Sequence, residues 1–262
     1  MATKTKKKST AKNKANKKTS SANKTNVDLK KLLHVGCNRN QSPIPVDFKE
    51  YKEVRLDIDK EVEPDIVADI KDMKNVEDSS HDAVFSSHNI EHLYLHEVPQ
   101  ALSEFARVLK GGGQLIITMP DVQRVAEHVA QGNIDDQPLF NSPMGPIFAI
   151  DILYGHTGKI SKGNQFWAHR TGFTAKSLGA KLVAAGFFDI LIVREGYNLW
   201  ARAYKPKDGQ LINEAKYMTL DTANYPFGAK VYEQGFDFQT KTTLKTAIDK
   251  TLEKSGLERL YN

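Results

Sequence analysis

The chain has 262 residues, 40% of them hydrophobic, a formal net charge of +5 and a single cysteine, Cys37. That length and apolar content can bury a full core in one large domain or two small ones. No stretch approaches the ~20 apolar residues of a bilayer span, one cysteine excludes an intramolecular disulfide framework, and the N-terminus has no apolar signal core, so the expectation is a cytoplasmic protein.

The charge is unevenly placed. Residues 1–26 hold nine lysines and no acidic residue; without them 28 basic side chains stand against 32 acidic ones, a net −4. This segment has no aromatic or branched aliphatic residue, so it cannot bury enough apolar surface to offset chain entropy and is expected to be disordered. It reads as a basic arm for nucleic acid or another anionic surface, or as a solubilising extension, since it has no aromatic for base stacking.

Folded sequence is expected from Val27. Leu32, Leu33 and Val35 read as a first strand that ends in GCN at Gly36. A nucleoside-binding turn needs small residues there, so that backbone amides can approach the ligand. Val54, Leu56 and Ile58 alternate as a second strand, which places Asp57 21 residues after Gly36. An acid at that strand end can accept hydrogen bonds from both ribose hydroxyls, whereas Asp59 is expected to face solvent. The DID triplet also matches the metal-binding D-x-D of many glycosyltransferases, but no nucleotide-sugar pattern accompanies it. Ile66 and Val67 suggest a short third strand before Asp69. The connection from Asp59 to Asp65 is too short for a usual crossover helix.

The stretch HDAVFSSHNIEHLYLHEVPQALSEFARVLKGGGQLIITMPD, His81 to Asp121, is the most informative. Ala83, Val84 and Phe85 form an apolar strand that stops at Ser86, Ser87, His88 and Asn89. Ala101, Leu102, Phe105, Val108 and Leu109 recur at helical spacing. Gly111, Gly112 and Gly113 are expected to stop that helix, and Leu115 to Met119 to form a buried strand. Ligands of open α/β sheets bind at the carboxyl ends of strands, so polar residues at two successive strand ends mark a site. His88, Glu91 and His92 follow the H-x-x-E-H order of inverted zinc proteases, with His88 and His92 on one helical face. The strand, loop and helix around them have another explanation, below, and no metal ligand is expected.

Residues 121–131 read as a helix with Asp121 near its cap and Val122, Val125, Ala126 and Val129 on one face. From 137 to 172 the periodicity breaks down among prolines, glycines and five aromatics. A long irregular insertion of this kind is usually functional or disordered, and the aromatics argue for function. Thr174 can cap a helix that Gly186 closes, and Phe188–Arg194 and Leu199–Tyr204 follow as strands. The alternation predicts an α/β fold: a Rossmann-like, mostly parallel sheet with helices on both faces. Residues 206–262 read as a helical appendage, in which Leu244, Ile248 and Leu252 repeat before Gly256; that face packs on its own domain or makes a homodimer contact.

The 81–121 stretch closely resembles class I S-adenosylmethionine-dependent methyltransferases, in a short, type 11-like form, with DAVFSS as the fourth strand, HNIEHL and VPQALSEFARVLKGGG as the next loop and helix, and QLIITMP as the fifth strand. The resemblance is looser over 32–205 and covers neither end. It implies an antiparallel last strand, a methyltransferase domain over 27–205 with 137–172 as a substrate-side insertion, and a sheet edge trimmed relative to the full family form. It implies a cofactor, S-adenosylmethionine, held by Gly36, Cys37, Asn38, Asp57, Ile58, Asp69, Ile70 and Ser87, with Asp69 and Ile70 beside the adenine. Two departures from the family pattern are the missing later glycines and His34 in place of an acid. His88 is the candidate general base, Glu91 and His92 a pair common in this loop, and Tyr154, His156 and His169 the candidate acceptor contacts.

In-line methyl transfer asks the protein mainly for position and exclusion of water. The expected function is therefore methylation of a small molecule or saccharide precursor. The alternatives are a silent S-adenosylmethionine-binding protein and a nucleic-acid methyltransferase recruited by the basic tail; the acidic folded part, without an Asn-Pro-Pro-Tyr type motif, disfavours the latter.

Overall fold

The computed structural model describes residue 1 and residues 29–39, 43–142, 145–212 and 216–221. The lysine-rich tail beyond residue 1 and the helix expected around Leu244 to Gly256 lie outside the described residues.

Strands β1 (Lys31–Val35), β2 (Lys52–Asp57), β3 (Ile66–Val67), β4 (His81–Ser87), β5 (Leu109–Pro120), β8 (Phe188–Glu195), β9 (Asn198–Tyr204) and β10 (Tyr217–Asp221) form one sheet. Its order is β10-β8-β9-β5-β4-β1-β2-β3. β9 runs antiparallel to both β5 and β8, and every other pairing in this sheet is parallel. This is the expected mostly parallel sheet with one antiparallel strand. A second, small hairpin pairs β6 (Phe140–Ser142) with β7 (Gly145–Ile147). Helices α1 (Val98–Val108), α2 (Val122–Val129), α3 (Ala149–Tyr154), α4 (Thr157–Ile160) and α5 (Ala175–Ala184) complete the regular elements.

Both faces of the central strands are apolar, as burial of a parallel sheet requires. On one face Leu33, Val35, Val84, Leu115 and Ile117 pack against Leu102 and Phe105 of α1 and Leu178 and Leu182 of α5. The other face, with Leu32, Ala83, Phe85, Ile116 and Val193, is met by Phe48 from a 3-10 turn at Val46–Phe48, with Ile44 and Tyr51 beside it. As expected, a single 3-10 turn, Lys60–Val62, connects β2 to β3.

Three boundaries differ from the sequence reading. The glycine triplet does not end α1; the helix stops at Val108 and Gly111 to Gly113 lie within β5. Pro206 to Asp208 cross close to the first two: a Cβ at Gly111 would lie 3.2 Å from the Asp208 amide nitrogen, while one at Gly113 would lie 2.9 Å from the Lys110 carbonyl. The insertion carries α3, α4 and the hairpin, elements too short to produce a readable period. The sheet continues past residue 205, because Tyr217–Asp221 pairs in parallel with β8 and buries Leu220. A helical appendage starting at 206 is corrected to that extent. Five residues with one buried aliphatic give little alternation to read.

Candidate methyl-transfer site

A cavity of about 810 Å3 opens over the carboxyl ends of β1, β2, β4 and β5. One wall comes from these strand ends and the other from the insertion.

At the end of β1 the backbone turns through Gly36, φ +62°, and Asn38, φ +52°, a region glycine enters freely and asparagine tolerates. Asn89 fills the space above Gly36: its Nδ2 donates to the Val35 carbonyl at 2.8 Å, and a Cβ on Gly36 would lie 1.8 Å from its Oδ1. Asp57, at the end of β2, accepts from the amides of Asn38 (3.0 Å) and Asp59 (3.0 Å), one on each carboxylate oxygen. Both oxygens are thereby fixed at the cavity wall with lone pairs to spare. Ile58 follows, 48% exposed, an apolar surface beside that acid. Asp59 is half-buried at the wall and caps the 3-10 turn through Glu61, so it is not the solvent-facing residue expected.

Asp69 and Ile70 line the cavity after β3. Asp69 Oδ1 accepts from the Lys71 amide at 2.9 Å, and the Lys71 ammonium lies 2.6 Å from Glu97 and 3.5 Å from Asp69. The hydrogen bond to Glu97, with Asp69 nearby, raises the Lys71 pKa. Ser87 and His88 end β4 on the cavity.

Cys37 departs from its expected place: it is 0% exposed and off the cavity wall. Its thiol is pushed up by burial, and among the cofactor-side residues it contributes packing and its backbone. Tyr154 also departs. It is 61% exposed, at the end of α3, outside the cavity lining; the turn at Gly155, where a Cβ would come within 1.9 Å of the Trp167 carbonyl, carries the chain away beyond it. His156 and His169 do line the cavity, with Phe140, Phe166 and Trp167. The His156 ring lies edge-on to Trp167, centroids 6.0 Å apart, and neither of its nitrogens meets a hydrogen-bond partner among the described residues.

Sequence reasoning missed the contacts of three residues, Glu91 among them although its place in the loop was legible. Asn89 was read as loop, and nothing in a lone asparagine signals its fit over Gly36. Asp151 ties the insertion together, accepting from the Phe148 amide (3.1 Å) and from the amide (3.0 Å) and hydroxyl (2.7 Å) of Thr157. Burial alone would raise its pKa, but these hydrogen bonds hold it below the usual carboxylate range. Third, Glu91 is 1% exposed, and its Oε1 lies 3.1 Å from His88 Nδ1. Burial opposes its charge, yet the His88 hydrogen bond and the histidines around it lower its pKa. The His169 pKa is also lowered, chiefly by burial, which favours its neutral form.

Residues 15–117 match a family model described as a methyltransferase domain. The match spans every position from Gly36 to Ser87 that is expected to hold the cofactor. Over those residues the chain is similar to a methyltransferase domain, which implies S-adenosylmethionine as the cofactor. Similar solved structures include a SAM-dependent methyltransferase from Archaeoglobus fulgidus (15% identity, TM-score 0.44, covering 68% of this chain and 86% of that one). A second comes from Methanosarcina mazei (17% identity, TM-score 0.46, 69% and 94%). A third is 1,6-didemethyltoxoflavin-N1-methyltransferase from Burkholderia thailandensis, bound to 1,6-didemethyltoxoflavin and S-adenosylhomocysteine (14% identity, TM-score 0.41, 68% and 71%). A comparison with curated proteins finds no significant match. Among the described residues no helix is long and apolar enough to cross a membrane.

The residues present fit the cofactor. Asp57 offers a fixed carboxylate for two hydroxyls, Gly36 and Asn38 give a turn with left-handed backbone, and Asp69 and Ile70 offer an acceptor and an apolar contact for a base.

Proposed function

We propose that this chain methylates a small molecule, of the size and polarity of a saccharide precursor, held between the β4 and β5 ends and the insertion. One observation carries the reading: histidines and aromatics from 140–169 share a single cavity with the strand ends. Its volume falls in the ~300–1,000 Å3 range of small-molecule sites, and part of it must hold the cofactor. A compact acceptor therefore suits it better than a polymer.

The cofactor supplies a methyl group on a sulfonium. Gly36, Asn38, Asp57, Ile58, Asp69, Ile70 and Ser87 hold and orient it. His156 and His169, with the faces of Phe166 and Trp167, contact the acceptor. His88 is the candidate base: Glu91 accepts from its Nδ1–H, which leaves Nε2 free to take a proton. The lysine-rich tail is the part of the sequence suited to an anionic partner such as nucleic acid.

The test is a transfer assay with labelled S-adenosylmethionine against sugar nucleotides, free sugars, aromatic hydroxyls and RNA, beside calorimetry with S-adenosylhomocysteine. Transfer to a small hydroxyl or amine supports the reading. Cofactor binding without transfer supports a silent binding protein, and transfer to RNA alone overturns the small-molecule acceptor.

A further inference from the structure

Glu91, His92 and His169 come together beside the cavity, which His92 and His169 line while Glu91 is buried off it. Glu91 and His92 lie in the 3-10 turn Ile90–His92 after β4, and His169 follows the isolated bridge that closes the insertion at Gly155 and Ala168. One carboxylate oxygen and one ring nitrogen from each histidine lie within 4.8 Å of one another. We propose that these three side chains form a binding site for a divalent first-row transition cation, of the zinc class, beside the methyl-transfer cavity.

Each ligand is prepared from behind. His92 Nδ1 lies 3.0 Å from the Ala168 carbonyl and His169 Nδ1 2.7 Å from the Ile152 carbonyl. A carbonyl only accepts, so both Nδ1 atoms carry the proton and both Nε2 atoms present lone pairs. This backbone-oriented tautomer is the usual support of a metal-bound imidazole. Glu91 Oε1 is engaged by His88, while Oε2 is buried and meets no hydrogen-bond donor among the described residues. A buried carboxylate oxygen without a donor is costly, and a cation supplies the missing partner.

Two imidazoles and one carboxylate with an open fourth position are the donor set of catalytic rather than structural sites. Ligands about a tetrahedral zinc ion at ~2.0–2.1 Å stand roughly 3.4 Å apart, so modest side-chain rotation closes the set. His92 and His169 both line the cavity, so a fourth ligand would come from the cavity side. The H-x-x-E-H order had suggested His88, Glu91 and His92 as ligands. The structure replaces His88 with His169, 78 residues after Glu91. His88 bonds Glu91 from the other side.

The experiment uses the untagged full chain without S-adenosylmethionine, so it does not depend on the methyl-transfer reading. Elemental analysis of the purified protein is combined with titration of chelator-treated protein by zinc(II) and cobalt(II). The expected result is one ion per chain and intense ligand-field absorption of the cobalt form. His169→Ala and Glu91→Gln should each weaken binding by more than the ~10–100-fold expected for loss of a supporting residue alone. His96→Ala, at an exposed histidine outside the cluster, should leave it unchanged. Circular dichroism and thermal melting check that the variants are folded. If either fails to fold, His92→Asn replaces it and the cobalt spectrum of the unmodified chain decides. No uptake by the unmodified chain, weak hydrated-ion absorption, or binding indifferent to the ligand substitutions overturns the site.

Discussion

Asn89 occupies the volume that any side chain at residue 36 would need. Its Oδ1 sits 1.8 Å from the position of a Cβ on Gly36, and its Nδ2 holds the carbonyl of Val35. The turn after β1 and the loop after β4 are thereby locked to each other across adjacent parallel strands.

Gly36→Ala therefore meets two obstacles, a left-handed backbone and a displaced Asn89. The backbone term alone costs on the order of 1–3 kcal/mol. The expected outcome is a loss of S-adenosylhomocysteine affinity of about tenfold or more with a lower Tm, read by calorimetry and thermal melting. Asn89→Gly should relieve part of the loss in the double variant. If the double variant is as impaired as the sum of the single ones, the two residues are not coupled.

Asp57 should be the more sensitive of the two acids in DID. Asp57→Ala is expected to weaken cofactor binding by roughly 1.5–3 kcal/mol, the range for hydrogen bonds to a charged group. Asp59→Ala removes a cap from one short turn and should change affinity much less. Titration of both variants with S-adenosylhomocysteine checks the difference; equal effects would remove the ribose role.

How much of this was legible in the sequence follows from range. β4, α1 and β5 could be read because helix and strand periods are local and strong there. The place of Asp57 at the end of β2 on the cavity wall could be read because it depends only on a strand boundary. His169 beside Glu91, Asn89 above Gly36 and Asp151 under Thr157 could not. Each is a contact set by tertiary packing or by a turn with no period of its own. Tyr154 and His156 looked equivalent as sequence, yet one helix end places the first outside and the second on the wall.

Asp121 is fully buried, caps α2 through the Gln123 and Arg124 amides, and pairs with Arg194 at 2.7 Å. Arg194 also pairs with Asp221 at 3.2 Å, so its charge keeps a partner when Asp121 is removed. Asp121→Ala should therefore destabilise by about 2 kcal/mol in denaturant unfolding, from the lost charged hydrogen bond and cap. A change under about 1 kcal/mol would show that the pair contributes little beyond the cap.

His81 is buried at the start of β4, and its pKa is lowered to about 4, first by burial and then by the positive charges of Lys31 and Lys110. A base with a lowered folded pKa binds fewer protons folded than unfolded. Its contribution is complete above the unfolded pKa near 6.5 and is lost as pH falls toward about 4. Between pH 7 and pH 5 this predicts a loss of about 2 kcal/mol from this residue. His81→Gln should flatten the stability profile over that interval. An unchanged slope in urea titrations at the two pH values would exclude the linkage.

The insertion should behave as a cover that Asp151 fastens. Helices α3 and α4 are short and meet at Gly155, and Asp151 joins them through Phe148 and Thr157. Short elements with little buried surface of their own open at low free energy. Asp151→Ala removes three hydrogen bonds at once and should speed protease cleavage between Thr157 and Asn164 by about tenfold, as loss of ~1.4 kcal/mol of local stability requires. S-adenosylhomocysteine should slow cleavage in the unmodified chain, and a true acceptor should slow it further, because both press on the wall formed by His156, Phe166 and Trp167. If cleavage is indifferent to both ligands while Asp151→Ala still accelerates it, the insertion is static cover, and His156 and His169 lose their assignment as acceptor contacts.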